Sequence, residues 1–147
     1  MLTLDGNYLA QVAKIAEIFF CIERNKKRLP FFHGFPKNCC EISAALLGKA
    51  VHDIFPDANV AIVKAYSSHR GGWHFWVEVG NQVIDVTAHQ FDGYLGPIVC
   101  PVPNPLEVKF PEVERITPTQ ALENFGCEFD VLVVVLNEIK AEINSHQ

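Results

Sequence analysis

The sequence has no apolar run long enough to cross a bilayer. Its most apolar stretch, Val131 to Leu136, falls far short of the roughly 20 residues that a membrane helix needs. No basic segment precedes an apolar run in MLTLDGNYLAQVAKIAE, which carries Asp5 early, so these residues do not read as a signal peptide. Excess positive charge is also missing. A formal net charge of -5 argues against a nucleic-acid partner, which usually leaves a basic footprint. The cationic cluster Arg24, Lys26, Lys27 and Arg28 reads as the complement of a helix C-terminus. Cysteine pairing is absent too: Cys21, Cys39, Cys40, Cys100 and Cys127 form no CxxC motif and no even framework. Reduced thiols in the cytoplasm are expected, with delivery into another cell by a dedicated secretion system left open. No repeat, low-complexity tract or linker divides the 147 residues. A single domain over residues 1–147 is therefore expected, with apolar material enough for a core without metal or disulfides.

What is present is strongly periodic. Residues 7 to 28 place Leu9, Val12, Ile15, Ala16, Phe19, Phe20 and Ile22 at helical spacing, and Leu29-Pro30 closes the helix. FFHGFPKN reads as a loop. A second helix is predicted to run from an Asn38 cap to about Phe55, with Glu41 completing a capping-box pattern. Strands are predicted over 59–66, 73–79 and 82–88, the last two joined by the tight turn Gly80-Asn81. Residues 93 to 111 hold five prolines and read as loop with one or two short extended pieces. Thr117-Pro118 opens a short helix, and residues 128 to 144 read as a final helix. The expected class is α+β, with the second helix packed on an antiparallel sheet.

Chemistry concentrates where that helix begins. A nucleophilic sulfur must be a thiolate, and a place in the first turn of a helix favours negative charge there. Cys39 and Cys40 both occupy such a place, and spacing does not choose between them. Both also fit the plainer reading of small buried residues. In the predicted hairpin His74, Trp76 and Glu78 share one face, as do Val83, Asp85 and Thr87. Pairing Val79 with Gln82 sets Trp76 opposite Asp85 and His74 opposite Thr87. His74 and Asp85 then become diagonal neighbours roughly 7–8 Å apart on one side of the sheet. A carboxylate among the apolar residues of VIDVTA needs a partner if buried, and His74 is the nearest candidate. Such a pair fixes the imidazole tautomer and stabilises the imidazolium. The alternative is a structural or solvated strand pair.

FPKNCCEISAALLGKAV, followed by WHFWVEV and VIDVTAHQF, resembles small bacterial transglutaminase-like proteins of the papain-like cysteine protease superfamily. The resemblance spans about residues 35 to 91. It implies a papain-like fold with a nucleophile helix on an antiparallel sheet and flanking helices. A small residue commonly lies two positions before the nucleophile in that family. Asn38 holds this place, which selects Cys40 over Cys39. His74 would be the base and Asp85 its partner.

The expected function is thiol-dependent acyl transfer on a peptide, protein or small amide substrate, as a peptidase, amidase, deamidase or transglutaminase-like enzyme without a cofactor. A non-catalytic binding module on the same fold is the principal alternative, and acyl transfer to a small molecule is a third. An inhibitory partner protein is a further expectation. Asn38, Cys39, Trp73, Trp76, His89 and Gln90 are candidate site-lining residues, Trp76 as core or as a wall of an acyl channel and His89 or Gln90 as a second polar contact. A zinc site built from Cys39 or Cys40 with His69, His74 or His89 lacks the close paired spacing of structural zinc ligands, and no metal is expected.

Overall fold

The computed structural model describes residues 8–25, 39–69, 71–125 and 129–145. Two helices come first, α1 over Tyr8–Asn25 and α2 over Cys40–Ile54. Three strands follow in quick succession: β1 (Val60–Ser67), β2 (Gly72–Val79) and β3 (Gln82–Asp85). Beyond them lie β4 (Ile98–Pro101), β5 (Glu112–Ile116), α3 (Pro118–Phe125) and α4 (Phe129–Ser145), with short 3-10 turns over Ala88–Gln90 and Pro105–Val108. The strands form one antiparallel sheet in the order β4-β3-β2-β1-β5. This is an α+β arrangement.

The β2–β3 hairpin has the register that its turn residues demand. Val79 pairs with Gln82 and Val77 with Ile84, and Gly80 takes a positive φ of 59°, a conformation that glycine adopts without strain. The pairing then stops. Residues 86 and 87 form a turn, so β3 ends at Asp85 and not at residue 88 as the β-branched run VIDVT suggests. The local cause is the Asp85 side chain, whose Oδ1 accepts the Thr87 backbone N–H at 3.2 Å. A side chain that bonds its own backbone two residues on competes with the ladder and turns the chain.

Alternation along β2 divides the protein into two apolar layers. Phe75, Val77 and Val79 face the main core, which α1, α2 and α4 cover. Trp76 faces the other way, where Val63, Ala65, Val83 and Phe110 form a second, smaller cluster. Phe91, together with Ile98 and Phe110 of the proline-rich segment, closes this second layer. β5 was not foreseen. Its charged residues Glu112, Glu114 and Arg115 suit an edge strand that pairs only with β1.

α2 is buried along most of its length. It starts at Cys40 with Cys39 as its cap residue, because the Ser43 N–H already bonds the Cys39 carbonyl at 2.9 Å. Cys39 makes no side-chain capping bond, and the Asn38 cap of the expected Asn38–Glu41 capping box lies outside the described residues. At its middle, Gly48 lets the helix press against Ile62 of β1, and a Cβ there would meet the Ile62 methyl well inside contact distance. Gly48→Val should therefore cost about 1–3 kcal/mol of stability through overpacking. Urea denaturation checks this, and an unchanged midpoint would mean that helix and strand have room to spare.

Candidate functional site

The end of β3 creates the site. β2 continues beyond its last paired residue, Val77, without a strand partner on that side among the described residues. A narrow seam remains, lined by Cys40, Ser43 and Leu47 of α2, by Phe75 and Trp76 of β2, and by Val86 and Thr87. The first turn of a helix on one face of the sheet thus meets a strand residue that projects from the other face. That residue is His74.

His74 and Asp85 are fully buried, each at 0% exposure. The His74 Nε2–H donates to Asp85 Oδ2 at 2.7 Å, a short charge-assisted bond. The diagonal neighbours read from the register are in direct contact. Two further donors hold the carboxylate: the Thr87 N–H on Oδ1 and the Asn104 side-chain amide, whose Nδ2 donates to Oδ2 at 2.9 Å. Asn104 is itself fixed, since its Oδ1 accepts the Leu106 N–H at 2.9 Å and caps the Pro105–Val108 turn. Asn104 is the site residue that sequence reasoning missed. Its signal is an asparagine directly before proline at a helix start, within VPNPLEV.

With Nε2 engaged, Nδ1 is the His74 nitrogen available to other groups. The thiol of Cys40 lies within hydrogen-bonding reach of the ring, and the Gln90 amide nitrogen lies 3.5 Å from Nδ1. Burial works to lower the His74 pKa. The charge and hydrogen bond of Asp85, then the hydrogen bond and charge of Cys40, outweigh it and push the value up to about 9. Phe91 meets the imidazole edge-on at 4.9 Å and Phe110 lies at 5.8 Å, which excludes water from the ring.

The remaining expected site residues divide between the two faces. Trp76 packs beside His74, with ring centroids 5.7 Å apart and 1% exposure, so it is a core residue that also walls the seam. Trp73 does not join them: alternation turns it to the other face, where it is half exposed against Tyr66 with the Lys64 ammonium 4.5 Å above its ring. Cys39 is buried in the main core beneath the start of α2. His89 is directed at Phe20 of α1, leaving Gln90 as the neighbour of the imidazole. Among the described residues, no group of three or more His, Cys, Asp or Glu side chains is placed to hold a metal ion. No protein-family model, curated protein or solved structure matches the chain.

Two consequences follow from the buried pair. Replacing Asn104 by Ala removes one hydrogen bond from a buried carboxylate and should cost about 1.5–3 kcal/mol in denaturant unfolding. A loss below that range would mean that water replaces the amide. The second concerns pH. His74 binds its proton more tightly folded, at about 9, than at the ordinary value of 6.5. Its contribution is therefore complete below about pH 6.5 and is lost as pH rises through about 9. Wild-type stability should fall across that window by on the order of 3 kcal/mol, and His74→Gln should lack the slope.

Proposed function

We propose that the protein is a cysteine-dependent acyl-transfer enzyme acting on an amide-type substrate, with Cys40 as nucleophile, His74 as base and Asp85 as the residue that orients and charges the base. The supporting observation is the buried Asp85–His74 contact with Cys40 in hydrogen-bonding reach of the same ring. A structural histidine–carboxylate pair does not need a cysteine at a helix start as its third member. The order of the three residues also agrees with the resemblance to transglutaminase-like proteins, and a papain-like fold is part of the same proposal.

The chemistry runs in two stages. With His74 held as a cation, the thiol proton already rests on Nδ1 in the reactive state, and the Cys40 thiolate attacks the carbonyl carbon of the bound amide. The backbone N–H of Cys40, at the open end of α2, helps to hold the negative oxygen of the tetrahedral adduct. His74 then returns the proton to the departing amine, leaving a thioester on Cys40. Water or an amine attacks that thioester in the second stage, with His74 again taking the proton. Water yields hydrolysis or deamidation, and an amine yields a new amide. Asp85 stays ionised throughout and stabilises the imidazolium, as the third member of such triads does.

The other described cysteines provide internal controls. Cys39 is buried, Cys21 is exposed, and the Cys100 thiol is pushed up by burial and by the negative charge of Asp85. Iodoacetamide labelling followed by mass spectrometry should therefore modify Cys40 fastest at mildly acidic pH, ahead of exposed Cys21, with Cys39 and Cys100 slow. His74→Ala should slow Cys40 labelling to the rate of an ordinary thiol. Equal labelling of Cys40 and Cys21 in the wild type would remove the basis for a catalytic thiol and favour a binding module.

A further inference from the structure

We propose that Trp73 and Tyr66 form a shelf beside Cys40 that docks peptide substrates through an arginine side chain near the amide under attack. The inference rests on the acyl-transfer reading and adds a substrate class to it.

Strand alternation sets the placement. Phe75 faces the core beneath α2 and lines the seam with Cys40. Trp73 shares that face two positions earlier, about 7 Å along the strand, and is 52% exposed. Tyr66 is its partner on β1, with ring centroids 4.5 Å apart. Lys64, the partner of Phe75, sets its ammonium 4.5 Å from the centre of the Trp73 ring. On the opposite face Phe91, Phe110 and Trp76 pack round the imidazole, so a substrate reaches Cys40 from the side of α2 and Trp73.

Charge decides the occupant. Lys64 lies within electrostatic reach of Glu41, the residue after Cys40: burial pushes the Glu41 carboxyl up, and the Lys64 ammonium acts to lower it. The register sets Glu114 opposite Lys64 and Glu112 opposite Tyr66 on the same face, and both are exposed. Three carboxylates and one ammonium thus border an aromatic surface that is half open to solvent. The excess is negative, and the Trp73 ring already holds one cation. A guanidinium suits both features, since it stacks flat on aromatic rings and pairs with carboxylates through its planar fork. An acidic side chain would be repelled by the same carboxylates, and an apolar one would gain nothing from them.

Two peptides, acetyl-Ala-Arg-Ala amide and acetyl-Ala-Glu-Ala amide, serve as probes in competition with iodoacetamide. At millimolar concentration the arginine peptide should slow labelling of Cys40 several-fold and leave exposed Cys21 unaffected. The glutamate peptide should slow neither. Glu112→Gln and Glu114→Gln together should raise the half-protecting concentration about 10-fold by removing two charges. Glutamine at 112 keeps an acceptor for the Ser68 N–H, which Glu112 holds at 3.0 Å. Trp73→Ala should abolish protection. Labelling of Cys40 without peptide should stay close to wild type in these variants, which reports that they fold. Equal protection by both peptides, protection that survives the substitutions, or no protection at all would overturn the shelf. The acyl-transfer reading fails separately, if Cys40 without peptide labels no faster than Cys21; protection by the arginine peptide can still be read in that case.

Discussion

One buried carboxylate organises this protein. Asp85 has no exposure to solvent, and stripping an ion of water costs several kcal/mol even after relaxation. Three donors offset that cost, and each comes from a different stretch of chain: His74 on β2, the Thr87 backbone and the Asn104 side chain. The demand for donors around one carboxylate therefore fixes where β3 stops, how the next turn coils and where the proline-rich segment returns to the sheet. The bond to Asp85 engages His74 Nε2 and leaves Nδ1 to face Gln90.

A topological result follows from that electrostatic one. A regular hairpin would have kept β3 beside β2 as far as His74, and the sheet would then have separated α2 on one face from the imidazole on the other. Where Asp85 turns the chain away, a narrow seam lies between Cys40, Phe75, Trp76 and Thr87. The hydrophobic layers then keep the arrangement in place. The main core holds α2 against β1 and β2, while Phe91, Phe110 and Trp76 surround the imidazole from the opposite side. Packing supplies the rigidity, and the buried charge fixes the imidazole.

Much of this was legible in the sequence, for identifiable reasons. The hairpin register could be read because Gly80-Asn81 leaves one tight connection and the alternation on both sides agrees with it. That register alone sets His74 and Asp85 on the same face. The end of β3 was not legible, since Val86 and Thr87 favour strand and a side-chain bond from Asp85 overrides that preference. Asn104 was hidden because its contact with Asp85 crosses 19 positions and its neighbours are prolines, which read only as loop. β5 escaped notice because the charges that protect an edge strand also mask its alternation. Trp73 was grouped with His74 because the two are adjacent in sequence, whereas alternation sets its exposed ring on the face of Lys64 and Tyr66.

The central claim is that Asp85 holds His74 as a buried cation facing Cys40. The most direct test is heteronuclear NMR of the protein with its histidine ring nitrogens labelled, followed across pH in the wild type and in Asp85→Asn. Both His74 nitrogens should carry protons at neutral pH, with the proton lost only near pH 9. Asp85→Asn should return the ring to a neutral state at neutral pH. A wild-type His74 that is already neutral there, or one whose titration is indifferent to Asp85→Asn, would show that Asp85 does not hold it charged.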